Sequence, residues 1–124
     1  MTRTVLLCVG ALMPVAWGIA HLFPTASVVR GFGPVSDDNR RIITMEWITE
    51  GVALTFTGTV VLVATIVDPL APVSIALYWV TVAGLNILSL VSLFTGFRIR
   101  FLPFRLCPAI FTGSSILIVA ALRL

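Results

Sequence analysis

Two carboxylates stand one helical turn apart within an otherwise apolar segment of this chain. They are Glu46 and Glu50, in the stretch MEWITEG at positions 45–51, and residues at i and i+4 share one face of a helix. Because two neighbouring carboxylates cannot both stay charged cheaply in apolar surroundings, we expect them to hold a proton or to meet a cation. Both are therefore candidate catalytic acid/base residues, and simple solvation at an interface is the alternative for each.

Several further residues could act with these carboxylates. His21 ends the first apolar run and is a candidate catalytic proton exchanger. Asn86 lies near the middle of the third run, with Ser89 three positions later on the same helical face, and a buried amide must find a hydrogen-bond partner. We take Asn86, Ser89 and Trp47 as candidate ligand-binding residues. The alternatives are a histidine that only lies at the interface and an amide that only joins two helices.

The composition is that of a membrane protein. The chain has 124 residues, of which 59% are hydrophobic and 10% charged, and its mean hydropathy is +1.12. A soluble domain of this size is far more polar. The formal net charge of +3 comes from eight arginines and five acidic residues. Because the arginines stand at the ends of apolar runs and form no clustered face, they exclude a nucleic-acid-binding surface. Membrane lipid is the expected surrounding.

The fold class that we predict is all-α, a single-domain four-helix transmembrane bundle. Four apolar runs predict helices at about 5–23, 39–67, 73–97 and 106–122. Pro14 interrupts the first run, and a neighbouring helix must absorb the carbonyl group that it leaves free. Ser36 and the acidic pair that follows it are typical of a helix start. The stretch 25–36 is expected to be irregular and to lie against the bundle.

Neither a disulfide nor a cofactor site is expected. Cys8 and Cys107 are the only cysteines, and they fall near opposite ends of the predicted bundle, too far apart for a disulfide. The single histidine forms no His/Cys metal-ligand pair at helical spacing, and glycine motifs for phosphates or dinucleotides are missing. We therefore predict no metal and no cofactor.

Three segments resemble the small four-helix bacterial membrane proteins often called DoxX-like. They are HLFPT at 21–25, RGFG at 30–33 and EWITEG at 46–51. The resemblance extends over the whole chain and implies a four-helix bundle in a bacterial inner membrane. It carries no particular activity and no set of site residues. Arg30, in the second segment, completes our candidate ligand-binding residues.

We expect a polar cavity in the bundle that binds or transforms a small hydrophobic molecule by carboxylate acid/base chemistry. The constellation is similar to that of membrane isomerases and cyclases of polycyclic substrates. Glu46 or Glu50 would move the proton, with His21 as exchanger and Asn86 as an orienting group. Two alternatives stay open. One is a non-catalytic accessory or assembly subunit, and the other is a proton-coupled transporter, which four helices would form only as a homo-oligomer.

The arginines predict the orientation of the chain in the membrane. Two lie at the termini and none in the second connection, and the other six lie in the first and third connections, namely Arg30, Arg40, Arg41, Arg98, Arg100 and Arg105. Cytoplasmic loops retain positive charge, so both termini should face the periplasm. Alkaline phosphatase fused after Leu124 should be active, and a green fluorescent reporter fused there should be dark. The reverse pattern would contradict this topology.

Overall fold

The computed structural model describes residues 1–100 and 102–124, and these residues form helices joined by short turns, with no strand among them. In chain order the helices are α1 (Thr2–Leu22), α2 (Thr25–Gly31), α3 (Asp37–Val67), α4 (Pro72–Thr95) and α5 (Leu102–Leu122). The predicted all-α class is confirmed.

Four of the helices in the described part of the chain are long and apolar enough to cross a membrane. They are α1, α3, α4 and α5, with 21, 31, 24 and 21 residues, and about 20 apolar residues are needed to span the hydrocarbon layer. The protein is therefore a multi-pass membrane protein built as a four-helix bundle, with α2 as a short additional helix.

The short helix α2 corrects the expectation that 25–36 is irregular. Thr25 Oγ1 donates to the carbonyl oxygen of Leu22 at 2.7 Å, and the backbone amide of Val28 donates to the carbonyl oxygen of Pro24 at 2.9 Å. Val28 and Val29 are buried, as the expected position against the bundle requires. Burial of this valine pair stabilises about two turns of helix before the downstream glycines and proline end it.

The starts of α3 and α5 follow from their first residues. Ser36 Oγ accepts a hydrogen bond from the amide of Asn39 at 3.2 Å, which confirms the predicted cap. α5 begins at Leu102, four residues before the predicted start. Pro103 is compatible with this because the first turn of a helix needs no intrahelical amide donor.

The helix α1 lies between two of the other long helices. It packs against α3 and α5, and α4 packs mainly against α5. The hydrogen bonds between α3 and α4 lie at their connected ends, where Ser74 Oγ donates to the carbonyl of Ala64 at 3.4 Å and the hydroxyls of Thr65 and Tyr78 are 3.1 Å apart. Among the long helices, α4 is the least covered.

The α1–α3 contact is a close approach of two backbones. A Cβ atom at Gly18 would lie 2.5 Å from the carbonyl oxygen of Gly51, and one at Gly58 would collide with the carbonyl of Ala11. Small residues at a helix interface allow this approach in membranes. The glycines therefore set the distance between α1 and α3.

Pro14 is accommodated by a hydrogen bond from another helix, as predicted. Proline has no amide hydrogen, so the carbonyl of Gly10 lacks its i+4 donor within α1. Ser114 Oγ of α5 donates to this carbonyl at 2.6 Å and is fully buried. The hydroxyl replaces the missing backbone bond and joins α1 to α5 near the middle of α1.

This pairing predicts a coupled effect of substitutions at Ser114 and Pro14. Ser114→Ala should destabilise the protein by about 1–2 kcal/mol, because it leaves the Gly10 carbonyl unpaired in an apolar environment. In a Pro14→Ala background the cost should fall, because the introduced alanine supplies an amide donor within α1. Unfolding in detergent measures both, with Thr57→Ala as the control, since the Thr57 hydroxyl bonds only within its own helix. Equal costs in the two backgrounds would contradict the assignment.

Candidate functional site

His21 lies in the last turn of α1 and is enclosed by two tryptophans. Its side chain is only 3% exposed. The ring stacks on Trp47 of α3, with centroids 4.2 Å apart and an interplanar angle of 18°, and it meets Trp17 edge-on at 5.8 Å. Trp47 Nε1 also donates to the backbone carbonyl of His21 at 2.6 Å. The hydrogen bond from Trp47 to the His21 carbonyl and the ring stacking hold the imidazole in one position at the end of α1.

The imidazole points an unsatisfied nitrogen at a glutamate. His21 Nε2 lies 3.5 Å from Glu50 Oε2, and it is a buried atom with no hydrogen-bond partner among the described residues. This separation exceeds the usual length of an N–H···O bond, about 2.7–3.2 Å. Glu50 is 44% exposed at its side chain. A buried polar atom without a partner is costly, so His21 Nε2 has an unused hydrogen-bonding position on the side that faces Glu50.

A cavity of about 430 Å³ opens next to Glu50, on the side of α3 that carries both glutamates, and His21 lies behind Trp47 and Glu50 without lining it. Glu46, Glu50 and Thr49 supply its polar groups, and the rest of its wall is mainly aromatic and aliphatic. The other lining residues are Phe32, Ile42, Ile43, Trp47, Ala53 and Phe104. Small-molecule sites have this combination of an apolar wall with few polar groups, and their volumes are about 300–1,000 Å³.

A second cavity of about 450 Å³ adjoins the first and shares two phenylalanines with it. Its wall is formed by α2, the connection between α4 and α5, and the first turn of α5, through Ser27, Val28, Gly31, Phe32, Ile99 and Phe104. Phe104 also meets Trp47 edge-on, with ring centroids 5.7 Å apart. The glutamate cavity and this second cavity therefore lie side by side at the same end of the bundle.

Two of the predicted site residues lie elsewhere, and the prediction that Asn86 shares a cavity with the glutamates is wrong. Asn86 Nδ2 donates to Ser115 Oγ of α5 at 2.8 Å. Neighbouring Ser114 bonds to Gly10, which precedes His21 by eleven residues, roughly 16 Å of helix rise. The α4 face that carries Asn86 is turned to α5, so this amide joins two helices.

Ser89 belongs to the same α4–α5 contact. Its hydroxyl lies 2.8 Å from Thr112 Oγ1 and donates to the carbonyl of Pro108 at 3.2 Å. Ser89, predicted as a ligand-binding residue, therefore joins α4 to α5 and lines neither cavity. Arg30 is exposed on α2, next to Gly31 in the wall of the second cavity.

Sequence reasoning gave no specific role to the residues that complete the site. Trp17 is one turn before His21 on the same face of α1, and its Nε1 donates to Cys107 Sγ at 3.4 Å. The spacing of Trp17 could have indicated this contact. Phe32 and Phe104, which line both cavities, carry no such signal because their positions depend on α2 and on the start of α5.

The described residues contain no cluster of three or more potential metal ligands, and both cysteines are free. The titratable groups at the site are one imidazole and two carboxylates beside an apolar wall. Such groups can accept, donate or relay a proton.

Searches against protein-family models, curated proteins and solved structures found no match to this chain, so the resemblance to DoxX-like proteins stays a prediction.

The bond from Trp47 to the end of α1 generates a stability prediction. Trp47→Phe keeps an aromatic ring against His21 but removes the Nε1 donor, so the His21 carbonyl loses its side-chain partner. We expect a destabilisation of about 1 kcal/mol, measured by thermal unfolding in detergent. Trp79→Phe is the matched control, because Trp79 is 47% exposed and should change the unfolding temperature little. Equal shifts for both variants would show that the hydrogen bond contributes nothing.

Proposed function

We propose that this protein binds a small hydrophobic molecule in the glutamate cavity, and that Glu50 and His21 exchange a proton with a polar group of that molecule. One observation carries the proposal. His21 Nε2 is buried without a hydrogen-bond partner among the described residues, 3.5 Å from Glu50 Oε2 and beside a largely apolar cavity. A structural histidine would normally be fully hydrogen-bonded.

The pair suits a ligand that carries a hydroxyl or carbonyl oxygen. A hydroxyl can donate to the carboxylate of Glu50 while its oxygen accepts from a protonated Nε2 of His21, and a carbonyl oxygen can accept from Nε2. A proton can then pass between Glu50, the ligand and His21 with no other reactant. Glu46, one turn away on the same helix face, keeps a second carboxylate in the cavity. This arrangement supports general acid/base chemistry on an apolar substrate.

The surroundings of the site fit a molecule that arrives from the membrane. Phe32, Trp47 and Phe104 line the cavity, and its apolar residues outnumber its polar ones by six to three. We place the protein in a bacterial inner membrane with both termini in the periplasm. The end of the bundle that holds the cavity carries six of the eight arginines, so the site would open toward the cytoplasmic leaflet.

A second candidate function, an accessory or assembly subunit, is favoured by one feature of α4. Asn86 is exposed on this least covered helix, and only its Nδ2 takes part in hydrogen bonds among the described residues. Its Oδ1 could accept a hydrogen bond from another membrane helix, where polar side chains join helices. Stable co-purification with a second membrane protein, lost on Asn86→Leu, would support this function over the first.

The proposed function predicts a selective effect of Glu50. Organic extraction and mass spectrometry of protein purified in neutral detergent should identify a hydrophobic molecule that co-purifies with the wild type. Glu50→Gln should reduce its amount by roughly 10- to 100-fold, which corresponds to the loss of a charge-assisted hydrogen bond, without lowering the unfolding temperature. Asp38→Asn is the matched control, since it also removes one carboxylate but lies outside both cavities.

Glu50→Leu separates a functional role from a structural one. Replacing a partly exposed charge beside an apolar wall should leave the bundle as stable as the wild type or more stable if Glu50 serves a ligand. Unfolding of Glu50→Leu in detergent, or full retention of the co-purifying molecule by Glu50→Gln, would overturn the proposal.

A further inference from the structure

The second cavity has an apolar interior, and three arginines, here called the arginine rim, are chain neighbours of residues in its wall. Gly31 and Ile99 lie in its wall. Arg30 precedes Gly31 in the chain, and Arg98 and Arg100 stand on either side of Ile99. Three guanidinium groups therefore originate at backbone positions next to the wall, from two different segments of the chain.

These arginines have no carboxylate partner in the part of the chain that the structure describes. The one ion pair found there joins His21 to Glu50. Arg30, Arg98 and Arg100 are exposed. A guanidinium is always charged and presents several donors that match a carboxylate or a phosphate. The rim is thus an unneutralised group of cations beside an apolar cavity.

The interior of the cavity has the opposite character. Val28 is buried, and Phe32 and Phe104 form a wall that continues into the glutamate cavity. The two cavities thus lie side by side along these phenylalanines, and Glu50 lines the glutamate cavity. A molecule that occupies both has an anionic end, an apolar body and a polar group at Glu50.

We infer that the bound molecule is an anionic single-chain lipid, whose phosphate or carboxylate head lies between Arg30 and Arg98 or Arg100. Its chain passes Phe32 and Phe104, and a hydroxyl or carbonyl group further along the chain lies at Glu50. This inference rests on the proposed function and names the class of its ligand. A cationic amphiphile fits less well, because its head would meet the arginines at the rim before it reached the glutamates. A neutral lipid would leave the guanidinium groups without a partner.

Binding of dodecyl phosphate tests the inference. Native mass spectrometry of the full chain in a neutral detergent would measure the bound fraction as dodecyl phosphate is added, and again for dodecanol and for inorganic phosphate. Dodecyl phosphate should bind at least about tenfold more tightly than dodecanol, consistent with charge-assisted hydrogen bonds to the head. Inorganic phosphate should not compete at equal concentration, because it lacks the apolar chain.

Arginine variants locate the head group. Arg30→Gln and Arg100→Gln should each weaken dodecyl phosphate binding by about three- to tenfold, since partly exposed ion pairs contribute little individually. Arg40→Gln is the matched control at the same end of the bundle, and Arg123→Gln is the control at the opposite end. Neither residue adjoins the second cavity, so both variants should bind dodecyl phosphate as the wild type does.

The outcomes separate this inference from the proposed function. An equal loss in Arg40→Gln and Arg30→Gln would indicate general surface charge and overturn the inference. Competition by inorganic phosphate would identify a free-anion site and overturn it as well. Equal binding of dodecanol and dodecyl phosphate would reject the anionic head, while weakened binding of dodecanol to Glu50→Gln would still support the proposed function. If neither dodecyl phosphate nor dodecanol binds, the inference that the ligand is a lipid would be overturned.

Discussion

The contact between the backbones of α1 and α3 determines where the polar residues of this bundle lie. Gly18 and Gly58 bring the two helices together at a distance that no Cβ atom would allow. Since lipid tails are as apolar as leucine, close packing is one of the few forces that can join two helices in a membrane. With the helices at this distance and antiparallel, His21 lies directly against Trp47 and within reach of Glu50. The α1–α3 pair therefore forms the floor of the site, and α2 and α5 add its walls.

Hydroxyl and amide groups join the other helices. The α4–α5 contact includes the pairs Ser89 with Thr112 and Asn86 with Ser115, and α3 joins α4 through Thr65 and Tyr78. Each of these groups would be costly if it faced hydrocarbon without a partner. Polar residues of this protein thus fall into two kinds. Those between helices form hydrogen bonds that join the helices, whereas His21 Nε2 is buried and has no hydrogen-bond partner among the described residues.

Sequence patterns were sufficient for the spanning helices and insufficient for the site. Length and hydropathy identify a membrane helix because the thickness of the bilayer fixes both. The partnership of Glu50 with His21 was also predictable, since helix order and orientation put both at one end of the bundle. The burial of the α2 valines was foreseen, but their helix was not, because its stability comes from packing against the bundle and not from local sequence.

Asn86 shows why depth along a helix is not enough to assign a site. Its position near the middle of the third predicted helix was correct, but a helix has several faces, and the neighbour of each face depends on packing. Nothing in the sequence around Asn86 distinguishes a face turned to α5 from one turned to the glutamates. Phe104 illustrates the same limit, since it became a cavity wall only because α5 starts earlier than its apolar run suggested.

The hydrogen bond between Ser114 and Gly10 also constrains how the chain is assembled during synthesis. Its two partners are separated by 104 positions, so the first helix enters the membrane long before the residue that completes it has been made. At about 5–20 residues per second, translation leaves the Gly10 carbonyl waiting for roughly 5–20 s. During that interval water, lipid headgroups or the insertion machinery must solvate it. The α1–α5 hydrogen bond can therefore form only after α5 has been translated, so the packing of α1 stays incomplete at Gly10 until then.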